Sequence, residues 1–175
     1  MSRIWAKLVL IMMVVPLHSA LAGEDAFTMG PVFSEYGPVA DVETTIDLPD
    51  GINLKHSFDV SEQAETGEMN RTLKSAARFI NMHARSGVAV ENIQVAIVVH
   101  GGAVRDVANM TEGANLNEPL IAALHKKGVR IIVCGQSAAY YDVNTSDLLA
   151  GVDMALSAMS AHVMLQQEGY TINPF

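Results

Sequence analysis

The strongest constraint in this chain is an alternation of strand-like and helix-like stretches that begins near residue 54. Leu54-Lys55-His56-Ser57-Phe58-Asp59-Val60 alternates apolar and polar residues with a period of two, the pattern of a half-buried strand. Met69, Leu73, Ala76, Ala77, Ile80 and Ala84 then recur at steps of three and four, which predicts a helix from about Glu68 to Arg85, stopped by Gly87. Ile93 to Val99 is nearly all β-branched and closes at His100-Gly101-Gly102, the signature of a central parallel strand followed by a tight turn. Ala103 to Thr111 has no clear period. Asn117-Glu118-Pro119 starts a second helix, with Asn117 as its N-cap and Pro119 in its first turn, and Lys126-Lys127-Gly128 ends it. Val129 to Val133 is the third strand and delivers Cys134. Val152 to Leu156 is a candidate fourth strand, Ala158 to Glu168 a helix with Met159, Val163 and Met164 inward, and Tyr170 to Asn173 a short last strand. Strands and helices in strict alternation, joined by right-handed crossovers, predict a three-layer α/β sandwich with a mostly parallel sheet.

The first 22 residues stand outside this pattern. Arg3 and Lys7 flank a positive start, Leu8 to Val15 is an unbroken apolar run, and Pro16 precedes Ala20-Leu21-Ala22. This is the layout of a secretory signal peptide with an A-x-A cleavage site, short for a bilayer anchor, although an uncleaved N-terminal anchor is the alternative. The expected division is a signal peptide over 1–22, an arm over 23–51 and an α/β domain over 52–175, located in the periplasm with no membrane span once the signal is cleaved. Loss of Arg3 and Lys7 takes the 11 Lys and Arg to 9 against 19 Asp and Glu, a formal charge near −10. Nucleic acid and acidic membrane surfaces are poor partners for such a chain. The arm, with Pro31, Gly37, Pro38 and Pro49, reads as extended; Tyr36-Gly37-Pro38-Val39 and Asp41 to Asp47 offer a short edge strand, and Asp50-Gly51 is a turn signal. Phe27, Val32, Phe33 and Tyr36 are too many large apolar groups for a linker, so the arm is expected to pack on the domain or on a neighbour.

Chemistry centres on Cys134, the only cysteine. At the carboxyl end of a buried strand a thiol lies over the crevice where open α/β sheets bind ligands, and a helix start after it favours the thiolate. The plainer reading is a small buried hydrophobe. A single cysteine in an exported chain is a buried inert thiol, an intermolecular bond or a reactive group. His100 also terminates a predicted parallel strand, so if the two strands are neighbours the imidazole can meet the thiol and tune its protonation; otherwise His100 only caps backbone groups. His100-Gly101-Gly102 lacks the continuation of either nucleotide-binding glycine motif. Gly135-Gln136-Ser137 is the better anion site, since its amides can hold a carboxylate, a sulfur oxyanion or a thiolate, and the alternative is an ordinary turn with Ser137 as N-cap. Gly-x-Ser-x-Gly is absent. His56, His83, His100, His125 and His162 show no metal-binding spacing, so neither a metal nor another cofactor is expected. His83 and His162 are expected on helix surfaces, Met154, Met159 and Met164 as core or interface fillers, and Tyr140, Tyr141 and Asp142 as a rim of the Cys134 crevice or a subunit contact.

His100-Gly101, the strand from Gly128-Val129 to Cys134-Gly135-Gln136-Ser137, then Leu149-Ala150-Gly151-Val152 and Gln166-Gln167-Glu168-Gly169-Tyr170 together resemble, in order and spacing, the DsrE/DsrF-like family over roughly residues 54–172. The resemblance implies a DsrE-type sandwich that assembles into homotrimers or hexamers. It also implies that Cys134 stands where the sulfur-relay members, which are cytoplasmic parts of hetero-oligomers, carry sulfur as a persulfide. Two functional readings follow. In the first, a periplasmic sulfur-handling or thiol-redox protein uses Cys134 as sulfur acceptor with His100 beside it, Gly101, Gly135, Gln136 and Ser137 hold the anion, and sulfur comes from a donor protein or a small sulfur anion. In the second, a homo-oligomeric module binds a small ligand or anion without catalysis, or serves a structural role in an envelope complex, and Cys134 is buried and inert.

Overall fold

The order of elements follows the alternation of the sequence. In the computed structural model, which describes residues 23–110 and 113–173, the strands are β1 (Leu54–Val60), β2 (Ile93–Val99), β3 (Arg130–Cys134), β4 (Val152–Ala155) and β5 (Thr171–Asn173). The helices are α1 (Arg71–Arg85), α2 (Glu118–Lys126), α3 (Gly135–Tyr140) and α4 (Ala158–Gln167). The expected signal peptide, residues 1–22, lies outside the described residues. All the strand pairings are parallel and the order is β4-β3-β2-β1-β5, so the sheet is parallel throughout.

That order explains the texture of the strands. β2 sits between β1 and β3 and is covered on both faces, which is why it reads as a nearly continuous apolar run. Val95, Ile97 and Val99 join Phe58, Val60, Ile131 and Val133 in the core beneath α1 and α2, while Ala96, Val98 and Ile132 lie with Ala161, Leu165 and Tyr170 on the side of α4. Each large aliphatic side chain so enclosed contributes roughly 1.5–3 kcal/mol.

Local differences from the sequence reading have local causes. Helix α1 starts at Arg71 rather than near Glu68, because the Asn70 side chain accepts hydrogen bonds from the amides of Thr72 (2.9 Å) and Leu73 (3.4 Å) and so acts as the N-cap. Asn117 occupies the N-cap position of α2, with Pro119 in the first turn, but its Oδ1 accepts from the Asn70 amide at 2.7 Å instead of capping its own helix. The aperiodic stretch after His100 is a 3-10 helix, Gly101–Val107. On α4 the inward face is Ala161 and Leu165; Met159, Val163 and Met164, expected inward, are exposed. The small side chains of Ala96 and Ala161 set that packing, because they let α4 lie close to the sheet on its alanine side.

The arm folds onto α1. Asn81, fully buried, accepts from the amides of Val32 and Phe33 through Oδ1 and donates through Nδ2 to the carbonyls of Phe33, Tyr36 and Gly37. Arg85 donates to the carbonyls of Thr28, Met29 and Val39. Thr28 and Val39 form a single antiparallel bridge, and the Asp41 to Asp47 stretch forms no strand. Gly37, at φ +64°, lies so close to α1 that a Cβ would meet the Arg78 amide nitrogen at 2.3 Å.

Candidate functional site around Cys134

Three strands end side by side, and their alternation decides which side chains they present together. Asp59 of β1 pairs with Val98 of β2, and Val99 pairs with Val133 of β3. Continuing that register puts His100 beside Cys134, and Asp59, His100 and Cys134 all fall on the face that α4 covers.

Cys134 is 6% exposed and is itself the N-cap of α3, with its sulfur accepting from the Ser137 amide at 3.5 Å. Burial pushes the thiol up. Hydrogen bonds from the Ser137 hydroxyl and from the amides of Ser137, Ala158 and Gln136 outweigh that and hold it below its ordinary value. The starts of α3 and α4 thus converge on one sulfur atom. They can converge because residue 135 is glycine: a Cβ there would lie 2.8 Å from the Ala155 carbonyl oxygen.

The residues expected to bind an external anion are engaged with this thiol and its support. Ser137 is not the N-cap. Its Oγ accepts from the Gly101 amide at 3.0 Å and its hydroxyl is the leading group that holds the Cys134 thiol down. Gly101 has φ +53° and a Cβ on it would stand 2.9 Å from the Ser61 carbonyl oxygen, so close packing against the end of β1 requires glycine there. The Gln136 side chain reaches the Leu156 carbonyl at 3.4 Å while its amide serves the sulfur. The group these amides surround is the sulfur of Cys134, and they favour its thiolate form.

His100 does not hydrogen-bond to Cys134. Its Nε2 lies 3.0 Å from Asp59 Oδ2, and His162 of α4 places its Nε2 2.7 Å from Asp59 Oδ1. His162 is therefore not a surface residue of α4: its side chain is 14% exposed and its Nδ1 lies 3.5 Å from the Ser57 hydroxyl. Burial raises the Asp59 carboxyl, but the two imidazole hydrogen bonds and the attraction of the two rings bring it below its usual range. Each carboxylate oxygen takes a separate imidazole, and among the described residues no group of three His, Cys, Asp or Glu side chains forms a centre for a metal ion. Tyr140 is largely exposed and packs edge-on against Tyr141, which lies under the Arg105 guanidinium at 4.3 Å. His83 packs on Phe79, half-buried, with its Nδ1 2.8 Å from the Phe79 carbonyl oxygen.

Neither Asp59 nor His162 is a site residue on the sequence alone: Asp59 reads as part of the first strand and His162 as a helix-surface residue. The available signal was the polar side of β1: Ser57 and Asp59 alternate with apolar neighbours, which reads as a solvent face unless the strand is known to be interior and covered. His162 carried no signal beyond its place on a helix.

A profile of the DsrE/DsrF-like family matches residues 55–174. The chain belongs to the DsrE/DsrF-like family. Among solved structures of the same fold, a protein of unknown function, MTH1491 from Methanobacterium thermoautotrophicum, aligns with a TM-score of 0.54 at 20% identity, over 70% of this chain and all of the other. The ychN protein from E. coli aligns with a TM-score of 0.50 at 15% identity, with the same coverage. No curated protein matches the sequence. At these identities the likeness is one of fold.

Proposed function

We propose that this DsrE/DsrF-like protein is a periplasmic sulfur-handling or thiol-redox protein in which Cys134 accepts sulfane sulfur and carries it as a persulfide. The observation behind this reading is the seat of the buried sulfur at the starts of α3 and α4, where it accepts from the Ser137 amide at 3.5 Å and where the Ser137 hydroxyl and the amides of Ser137, Ala158 and Gln136 hold the thiol below its ordinary value. The thiolate attacks the outer sulfur of a persulfide donor, R–S–SH. A new S–S bond forms at Sγ, the donor S–S bond breaks, and its electron pair leaves with R–S⁻. The sulfur donor is a partner protein or a small sulfur anion, and the chain works as a homotrimer or hexamer. Intact-mass measurement after exposure to polysulfide should show one added sulfur, absent in Cys134→Ser. No adduct with any sulfane donor refutes the proposal.

A second reading rests on the near-complete burial of Cys134 and on the apolar residues Leu156, Met159 and Val163 left exposed around α4. In it the chain is a non-catalytic homo-oligomeric module whose cysteine is inert. Native-state labelling separates the two: a thiol that reacts only after denaturation selects the second.

A further inference from the structure

Among the described residues Asp59 is the one carboxylate that touches both imidazoles near Cys134, and it does so from the strand beyond the one that leads into His100. With its two oxygens committed to two Nε2 atoms, it fixes the orientation of both rings, the arrangement in which a third group orients a catalytic base or acid. For His100 this leaves Nδ1 as the nitrogen that can exchange a proton, and among the described residues that atom takes no hydrogen bond while the side chain is 31% exposed. By the continued β2–β3 register His100 stands next to Cys134, one strand spacing of about 4.8 Å away.

Building on the proposed sulfur chemistry, we infer that the site divides its labour: Ser137, Gln136 and Ala158 hold the Cys134 thiolate, while Asp59 positions His100 to protonate the sulfur that departs. Sγ forms a bond to the substrate sulfur, the substrate S–S bond breaks, and the leaving thiolate takes the proton from Nδ1 of His100, whose Nε2–H stays on Asp59. The thiolate is oxidised and the substrate disulfide or persulfide reduced, with no further reactant. His162 supports Asp59 from α4, and its second nitrogen is held by Ser57. The titratable groups at this end of the face are Asp59 from β1, His100 after β2, Cys134 from β3 and His162 from α4. Asp153 on β4 lies further along the same face, and Lys55, Arg130 and Glu168 tie to one another at the opposite end.

The role predicts a dependence on the leaving group that a structural role does not. A thiol of low pKa departs unaided, whereas an alkyl thiol benefits from a proton. Three neutral reagents are compared on the full protein: iodoacetamide, which releases no thiol, 4,4′-dithiodipyridine, whose leaving thiol is acidic, and 2-hydroxyethyl disulfide, whose leaving thiol is not. Asp59→Asn and His100→Gln should slow the reaction with 2-hydroxyethyl disulfide by about 10- to 100-fold, within the range of general acid catalysis, and leave the other two within about twofold. His162→Gln should act in the same direction with a smaller effect. The wild-type rate with the alkyl disulfide, divided by the iodoacetamide rate, should fall as pH rises, and Asp59→Asn should flatten that ratio. Equal slowing of all three reagents, or no slowing of the alkyl disulfide, overturns the inference and leaves the sulfur-acceptor reading intact. A folded wild-type protein that iodoacetamide does not label removes the acceptor reading first.

Discussion

Ser137 offers the sharpest test of how this fold activates its thiol. Its hydroxyl is the first of the hydrogen bonds that hold the Cys134 thiol down, and the same oxygen accepts from the Gly101 amide at 3.0 Å. Ser137→Ala removes the hydroxyl donor and keeps the backbone amides of Ser137, Gln136 and Ala158 in place. A hydrogen bond to a charged group contributes about 1.5–3 kcal/mol. Since about 1.4 kcal/mol corresponds to a factor of ten, the variant should hold roughly 10- to 100-fold less thiolate at a pH where the wild-type thiol is mostly protonated. The substitution also leaves the Gly101 amide without its acceptor, so stability should fall by about 1–3 kcal/mol. The assay is the iodoacetamide rate as a function of pH, read beside the thiolate absorbance, with urea unfolding on the same samples. A titration midpoint that stays in place while stability drops would show that Ser137 only braces the 3-10 turn, and the account of thiol activation would be wrong.

Three further outcomes follow from groups away from the thiol. His56 is buried against Phe58 and Phe79, and burial, with His83 nearby, depresses its pKa below the ordinary 6.5. Its neutral form is therefore favoured by folding, so its contribution is present above pH 6.5 and is lost as pH falls through that value toward the depressed one; His56→Phe should flatten the acid side of the melting-temperature profile, and an unchanged slope counts against this. Burial raises the Asp106 carboxyl despite hydrogen bonds from the Asn70 side chain and the Ala64 amide. A raised folded value means stability that is present below the ordinary 3.8 and lost as pH rises through the raised value, so Asp106→Asn should melt higher at neutral pH and show no gain in acid; a lower neutral melting temperature refutes this. Asn81→Ala removes five hydrogen bonds between α1 and the arm, about 3–5 kcal/mol at roughly 1 kcal/mol each; hydrogen exchange should speed up at 28–39, and unaltered protection there would show that the arm is held by other contacts.

Much of the fold is legible in the sequence. β-branched density and three-four periodicity located β1, β2, β3, α1 and α2 to within a few residues, because a segment buried on both faces, or on one stripe, cannot hide its period. The errors have physical reasons too. Met69 falls in step with the apolar stripe of α1, so the stripe runs ahead of the helix, and only the Asn70 contacts show where the helix begins. The side of α4 that faces the sheet depended on whether methionines or alanines meet Ala96 and Val98, which the weakly amphipathic sequence of α4 leaves open.

What the sequence determined by itself was the alternation of elements, the family and the place of Cys134 at a strand end, since each is a property of consecutive residues. The tertiary structure decided which side chains share the site. Asp59, His100, Cys134 and His162 come from four elements and span more than 100 positions, and they meet only because strand order and register align them beneath α4. The same order turned Gly135, Gln136 and Ser137 from a loop awaiting an anion into the cradle of the cysteine beside them. Hydrogen bonds between distant segments have no local signature, because a side chain's partner is set by where its neighbours' backbones pass and not by the residues on either side of it.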